Sequence, residues 1–144
     1  DETFVDFVKS GIEFRIVSAG TKLNIAGVLR NYGINLDEKE IISNDIKFDG
    51  NKITVSFPYL DKDQYYGVDK KEAVQKYQDE GYTVYFVGDG PSDYRAIEVA
   101  DFSFIRTGTR AIKFCEENEI DFFEFENFDE ILDYLKKQES KWII

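Results

Sequence analysis

Apolar positions along this chain fall into short runs whose period alternates between helical spacing and strand-like continuity. Phe128, Ile131, Leu132 and Leu135 stand at i, i+3, i+4 and i+7, the stripe of a helix with one buried face. Phe4, Val5, Phe7 and Val8 predict a first helix over 3–10, stopped by Gly11. Residues 12–17 read as a strand ending at Ser18-Ala19-Gly20, and 21–31 as a helix with Gly33 beyond its end. Ile41-Ile42 predicts a short strand. The runs 46–48 and 53–57 alternate about Asp49-Gly50-Asn51, which is a hairpin signal. The stretch 58–67 is polar, rich in tyrosine, and reads as a loop.

In the second half, Asp69 is placed to cap a helix over 70–80 that Gly81 stops. Residues 82–87 predict a buried strand, followed by Gly88-Asp89-Gly90-Pro91-Ser92-Asp93 and a helix near 92–99. A strand over 102–105, a helix over 109–118 and a last strand over 122–125 complete the pattern. Strands alternating with helices predict an α/β fold: one domain over 1–144 with a Rossmann-like, doubly wound, mostly parallel sheet. The hairpin is then an insertion or an edge extension.

Composition narrows the chemistry. The net charge is −11 over 144 residues, which disfavours nucleic acid and anionic membrane, since both are bound through Lys and Arg. The single cysteine, Cys115, permits no internal disulfide and fits a reducing cytosol, hence a cytoplasmic location. There is no His, which removes the Ser-His triad and most zinc sites. Chemistry must run on carboxylates, lysine and backbone amides. The chain also lacks Met and opens Asp1-Glu2, so residue 1 is not expected to be a native start.

Three groups stand at expected strand ends or helix starts, where open α/β sheets bind ligands. The Ser18 hydroxyl and the amides of Ala19 and Gly20 are placed to hold a phosphoryl oxygen. Lys70 opens a helix and offers one positive charge. Asp89 and Asp93 are spaced as a carboxylate pair for Mg2+, a cation that takes a few carboxylates and serves substrate phosphates. Each also has a plain structural reading. Serine before a helix is commonly a cap, lysine on a helix is commonly solvated, and Ser92 or Asp93 can cap the helix after a polar turn.

In this order the set resembles motifs II, III and IV of the haloacid dehalogenase-like phosphatases, nearest to the phosphoserine phosphatase branch and the methylthiopentenyl phosphatases of methionine salvage. The resemblance runs through I-V-S-A-G at 16–20, S-F-P at 56–58, Y-G-V-D-K at 66–70, V-G-D-G-P-S-D-Y-R-A at 87–96 and A-D-F-S-F-I-R at 100–106. It implies that Ser18 binds phosphate with its neighbours Ala19 and Gly20, and that Lys70 is the catalytic lysine of motif III. It makes Asp89 a Mg2+ ligand and Asp93 the second acid beside it, catalytic and metal-binding. Ser92 becomes a further phosphate contact. Lys71 competes for the motif III role. Lys70 is preferred because the methylthiopentenyl relatives place their lysine directly after a C-G-x-C stretch that aligns with Tyr66-Gly67-Val68-Asp69, although both cysteines are absent here.

One departure shapes the expectations. The family's D-x-D-x-T motif, with its nucleophilic first Asp on the central strand, occurs nowhere in the chain; 61–63 and 121–123 lack the context. Motif I and the cap are therefore expected upstream of residue 1. The resemblance implies a Mg2+-dependent phosphomonoester hydrolase acting through an aspartyl-phosphate on a small phosphorylated metabolite, here as an inactive fragment. The alternative is a non-catalytic binding or assembly domain on the same scaffold. A missing central strand leaves three options for the sheet. Another polypeptide fills the slot, such as the chain's own upstream segment; a second copy fills it by exchange; or the strands at 12–17 and 84–87 pair directly.

Overall fold

The computed structural model describes residues 2–140. Helix α1 (Glu2–Lys9) is followed by β1 (Ile16–Thr21), α2 (Lys22–Asn31) and the hairpin β2 (Ile41–Asp49) and β3 (Lys52–Ser56). Then come α3 (Lys70–Asp79), β4 (Tyr85–Gly88), α4 (Tyr94–Val99), β5 (Phe102–Arg106), α5 (Arg110–Glu117), β6 (Phe122–Phe125) and α6 (Phe128–Ser140). The alternation confirms the α/β architecture. No helix among the described residues is long and apolar enough to cross a membrane.

The strands form two three-stranded sheets, β1-β2-β3 and β4-β5-β6. β1 runs parallel to β2 from Ile16↔Ile41, and β2 turns antiparallel into β3 around Gly50, whose φ of 56° suits the tight turn. The other sheet is parallel throughout, with Tyr85↔Phe102 and Ser103↔Phe122 opening its two ladders. Two strand boundaries differ from expectation for local reasons. The Val84 amide donates to the Asp101 carboxylate at 2.7 Å and the Tyr82 amide to the Tyr77 carbonyl at 3.0 Å, so β4 starts only at Tyr85. Residues 41–42 and 46–48 belong to one strand, because the buried polar pair Ser43 and Asn44 continues the ladder with β1.

Three cores hold these layers. β4, β5, α4 and α5 enclose Phe86, Ala96, Ile97, Ile105, Ala111 and Cys115, with Val74 of α3. The other face of the same sheet packs Phe104 and Phe125 on Phe7 and Ile131, within a ring cluster that includes Phe128 and Tyr134. The β1–β2 region has a thinner core of Ile42, Val68 and Ala73. Helix α3 therefore joins both halves, through Val74 on one side and Ala73 on the other.

Among the described residues β1 pairs only with β2, and β4 only with β5, so each has an edge without a strand partner there. Val17 of β1 and Val87 of β4 line one cleft of about 590 Å³, with Tyr77 of α3, Phe7 of α1 and Leu135 of α6 along its walls. The two strands do not pair with each other, and no described strand pairs with both. Direct pairing, one of the three sequence-based options, is not what the chain adopts.

Candidate active site

Gly88, Asp89, Asp93 and Lys70 also line this cleft. The turn after β4 is organised by Asp93, which is 4% exposed. One carboxylate oxygen accepts from the amides of Asp89, at 2.9 Å, and Gly90, at 3.2 Å. The other faces the Lys70 ammonium at 2.6 Å. Lys70 donates as well to the Ser92 hydroxyl at 3.2 Å. Asp69 caps α3 by accepting the Glu72 amide at 3.0 Å, which fixes the helix start from which Lys70 reaches. Lys71 makes no comparable contact among the described residues.

Gly88 sits where a side chain would be crowded at the strand end. A Cβ there would stand 3.0 Å from both the Asp93 Cβ and a Phe86 ring carbon, inside ordinary van der Waals distance. Asp89 is exposed, and its carboxylate has no hydrogen-bonding or ionic partner among the described residues. The two acids that look alike in sequence are thus in different states. Asp93 is buried and engaged on both oxygens, whereas Asp89 is open.

Ser18 lies within β1 rather than beyond it, at the irregularity between Ser18 and Thr21. Its hydroxyl accepts the Gly20 amide at 3.0 Å and does not cap α2. The Ala19 carbonyl is held by the Asn44 amide nitrogen at 2.8 Å. The 18–20 turn is therefore set by its own serine and by a neighbour on β2. Two oxygens beside it are buried without a partner, Thr21 Oγ1 and Asn44 Oδ1. Lys70, Ser92 and Asp93 are brought into contact; Ser18–Gly20 and Asp89 stand at the ends of the two strands with an open edge, Asp89 lining the cleft and Ser18 adjoining Val17, which lines it.

Sequence reasoning missed three residues. Asn44 was hidden between two apolar runs. Asp61, 3% exposed, accepts the amides of Tyr65, Tyr66 and Gly67. Arg106 ends β5 and lines the cleft, and its position at a parallel strand's carboxyl end was the available signal.

A Mg2+ at this turn would be held through the open Asp89 carboxylate, while both oxygens of Asp93, the second ligand expected from the sequence, are engaged by Lys70 and by the amides of Asp89 and Gly90. Among the described residues no group of three or more His, Cys, Asp or Glu is placed to hold a metal.

A family model for haloacid dehalogenase-like hydrolases matches residues 2–98. The chain belongs to the haloacid dehalogenase-like hydrolases. Within that family it is similar to a 2-hydroxy-3-keto-5-methylthiopentenyl-1-phosphate phosphatase of Exiguobacterium sibiricum, 28% identical over 142 residues that cover 96% of this chain and 63% of that protein. The phosphatase of the same name from Bacillus cereus (strain B4264) is 31% identical over 137 residues, covering 92% of this chain and 60% of that one. Pdp3-interacting factor 1 of Schizosaccharomyces pombe is 33% identical over 144 residues, covering 93% and 61%. This haloacid dehalogenase-like chain thus spans about three fifths of the length of the curated relatives it matches.

Proposed function

We propose that this chain is the motif II–IV part of a Mg2+-dependent phosphomonoester hydrolase acting on a small phosphorylated metabolite. The observation that carries the reading is the Lys70–Ser92–Asp93 contact set beside the open Asp89 carboxylate, at the end of a cleft bounded by two strands that each have an open edge. In this reading the nucleophilic Asp comes from a segment outside these 144 residues. That segment adds a strand between β1 and β4, forming the ladder hydrogen bonds that their free edges offer. The cap belongs to the same upstream region. The phosphatase names of two relatives support the activity for the whole protein.

Each residue then has a role. The Ser18 hydroxyl turns from Gly20 to the phosphoryl group, and the Gly20 amide this frees adds a donor together with the Ala19 amide. Lys70 neutralises phosphate and nucleophile charge while Asp93 fixes its position. Ser92 offers a second hydroxyl. Asp89 would hold the cation, which would offset charge on the transferring group. The first Asp of the upstream D-x-D-x-T attacks phosphorus as the ester oxygen leaves with a proton from the second, giving an aspartyl-phosphate that water, deprotonated by that second Asp, then hydrolyses.

A second reading is a binding or assembly module on the same scaffold, favoured by the relative whose name records an interaction with Pdp3. Steady-state kinetics on the protein that includes the D-x-D-x-T segment separate the two. Asp89→Asn is expected to abolish most turnover and weaken Mg2+ dependence. Ser18→Ala is expected to cost about 10- to 100-fold, the scale of one hydrogen bond to a charged group. Undiminished Mg2+-dependent activity in Asp89→Asn would refute the assignment of Asp89, and no turnover in the unmutated protein favours the binding module.

A further inference from the structure

The loop 57–69 is irregular and carries exposed aromatic side chains, Tyr65 at 78% among them, yet its backbone is tightly fixed. Its centre is the Asp61 carboxylate. One oxygen accepts the amides of Tyr66 at 3.0 Å and Gly67 at 3.2 Å; the other accepts that of Tyr65 at 3.2 Å. Burial alone would raise the pKa of this group, and the backbone N–H donors outweigh it, holding the carboxyl below the ordinary Asp value. The chain around it bends accordingly, with Gln64 at φ 55° and Gly67 at φ 78°.

This loop touches all three parts of the site. The Asp69 amide donates to the Tyr59 carbonyl at 2.7 Å, closing the loop on the residue before Lys70. Gly67 abuts the turn after Ser18: a Cβ there would lie 3.4 Å from the Asn44 amide nitrogen and 4.0 Å from the Ala19 Cβ. Asn44 in turn holds the Ala19 carbonyl. On the third side Asp63 pairs with Arg95, two residues beyond Asp93. Elements far apart in sequence are thus tied through one short loop, whose fold depends on one buried carboxylate.

We propose that Asp61 is a positioning residue of the phosphate site: its carboxylate shapes loop 57–69 into the clamp that sets Ser18–Gly20, Lys70 and Ser92–Asp93 relative to one another. Asp61 touches no reacting atom and acts through Gly67, Asp69 and Lys70. The importance of the clamp for phosphate binding rests on the phosphatase reading; the clamp itself does not.

The test uses the 144-residue chain with two variants, Asp61→Asn and Gly67→Ala. Asp61→Asn keeps one acceptor oxygen and turns an amino group on the amides. Gly67→Ala leaves Asp61 intact and strains the loop where it meets Ala19, so it serves if the first variant does not fold. Amide hydrogen exchange comes first. Exchange should rise about tenfold or more at Tyr65–Gly67, and also at Gly20 and Asp69–Ala73, while β5 and β6 keep their protection. A rise confined to 65–67 overturns the clamp. The second arm is inorganic phosphate affinity with Mg2+, by calorimetry at a temperature where each variant is fully folded. The expected loss is about 10- to 100-fold, the effect of sub-ångström to ångström misplacement at a site. Unchanged affinity in a folded variant overturns the functional part. An unmutated chain that binds no phosphate even after refolding with a peptide carrying an apolar strand and D-x-D-x-T counts against the phosphatase reading, and the exchange arm still decides the clamp.

Discussion

The half of the molecule built on β4–β6 and the half built on β1–β3 are held by different forces. In the first, parallel strands have helices on both faces, and Ala96, Phe104, Ile105, Ala111 and Cys115 are fully buried. In the second, β3 is exposed at every position, Phe48 and Ile53 are more than half exposed, and the core is Ile42, Val68 and Ala73. Its order comes instead from polar side chains that grip the backbone: Ser18 on Gly20, Asn44 on Ala19, Asp61 on 65–67. The difference teaches where the site gets its rigidity. Asp89 and Asp93 stand on the apolar half, Ser18 on the polar half, and Lys70 sits on α3, the helix that packs into both.

Substitutions sharpen the contrast. Phe104→Ala removes a fully buried ring from the centre of the β4–β6 sheet and should cost about 3–5 kcal/mol in urea unfolding. Lys70→Ala leaves the buried Asp93 carboxylate with only its two amides, and should cost about 2–3 kcal/mol by the same measurement. Val68→Ala, in the thin core, should cost about 1–2 kcal/mol, with hydrogen exchange rising in β1 and β2 and not in β5. A larger loss from Val68→Ala than from Phe104→Ala would reverse the proposed division of strength.

The halves should also respond to opposite ends of the pH scale. Asp61 and Asp37 are held below the ordinary carboxyl value, chiefly by backbone N–H donors, in Asp37 by that of Lys39. Their contribution is present above the unfolded carboxyl value of about 4 and is lost as pH falls through the lower folded values. Burial raises the Cys115 thiol, so its contribution is present below the unfolded value of about 8.5 and is lost as pH rises through the higher folded one. Residue-resolved NMR should show β1–β3 loosening first in acid. Alkaline loss should centre on α5, and Cys115→Ala should shift that limb.

Much of this was legible in the sequence because it is local. The i, i+3, i+4, i+7 stripe marked α6, Asp69 marked the start of α3, and Gly50 marked the hairpin. The expected strand at 12–17 starts instead at Ile16, because the ladder needs a partner and β2 supplies one only from Ile41. At the site, the order of motifs pointed to Lys70, Ser92 and Asp93, and folding places them in contact across 22 and 23 residues of sequence. The different states of Asp89 and Asp93 were not legible, since they depend on which backbone amides the turn presents. Asp61 and Asn44 were hidden for the same reason: their partners are main-chain groups, which leave no trace in side-chain spacing.

The central claim is that a complete site forms only when a nucleophile-bearing strand joins the two halves at the cleft. Its most direct test is Mg2+-dependent hydrolysis of p-nitrophenyl phosphate by the homogeneous 144-residue chain, alone and after refolding with a peptide carrying an apolar strand followed by D-x-D-x-T. The account predicts background rates for chain and peptide separately, since positioning and charge cannot replace the covalent acceptor. It predicts turnover for the mixture that Asp89→Asn abolishes. Robust Mg2+-dependent turnover by the chain alone would contradict it and show that the nucleophile lies within these residues.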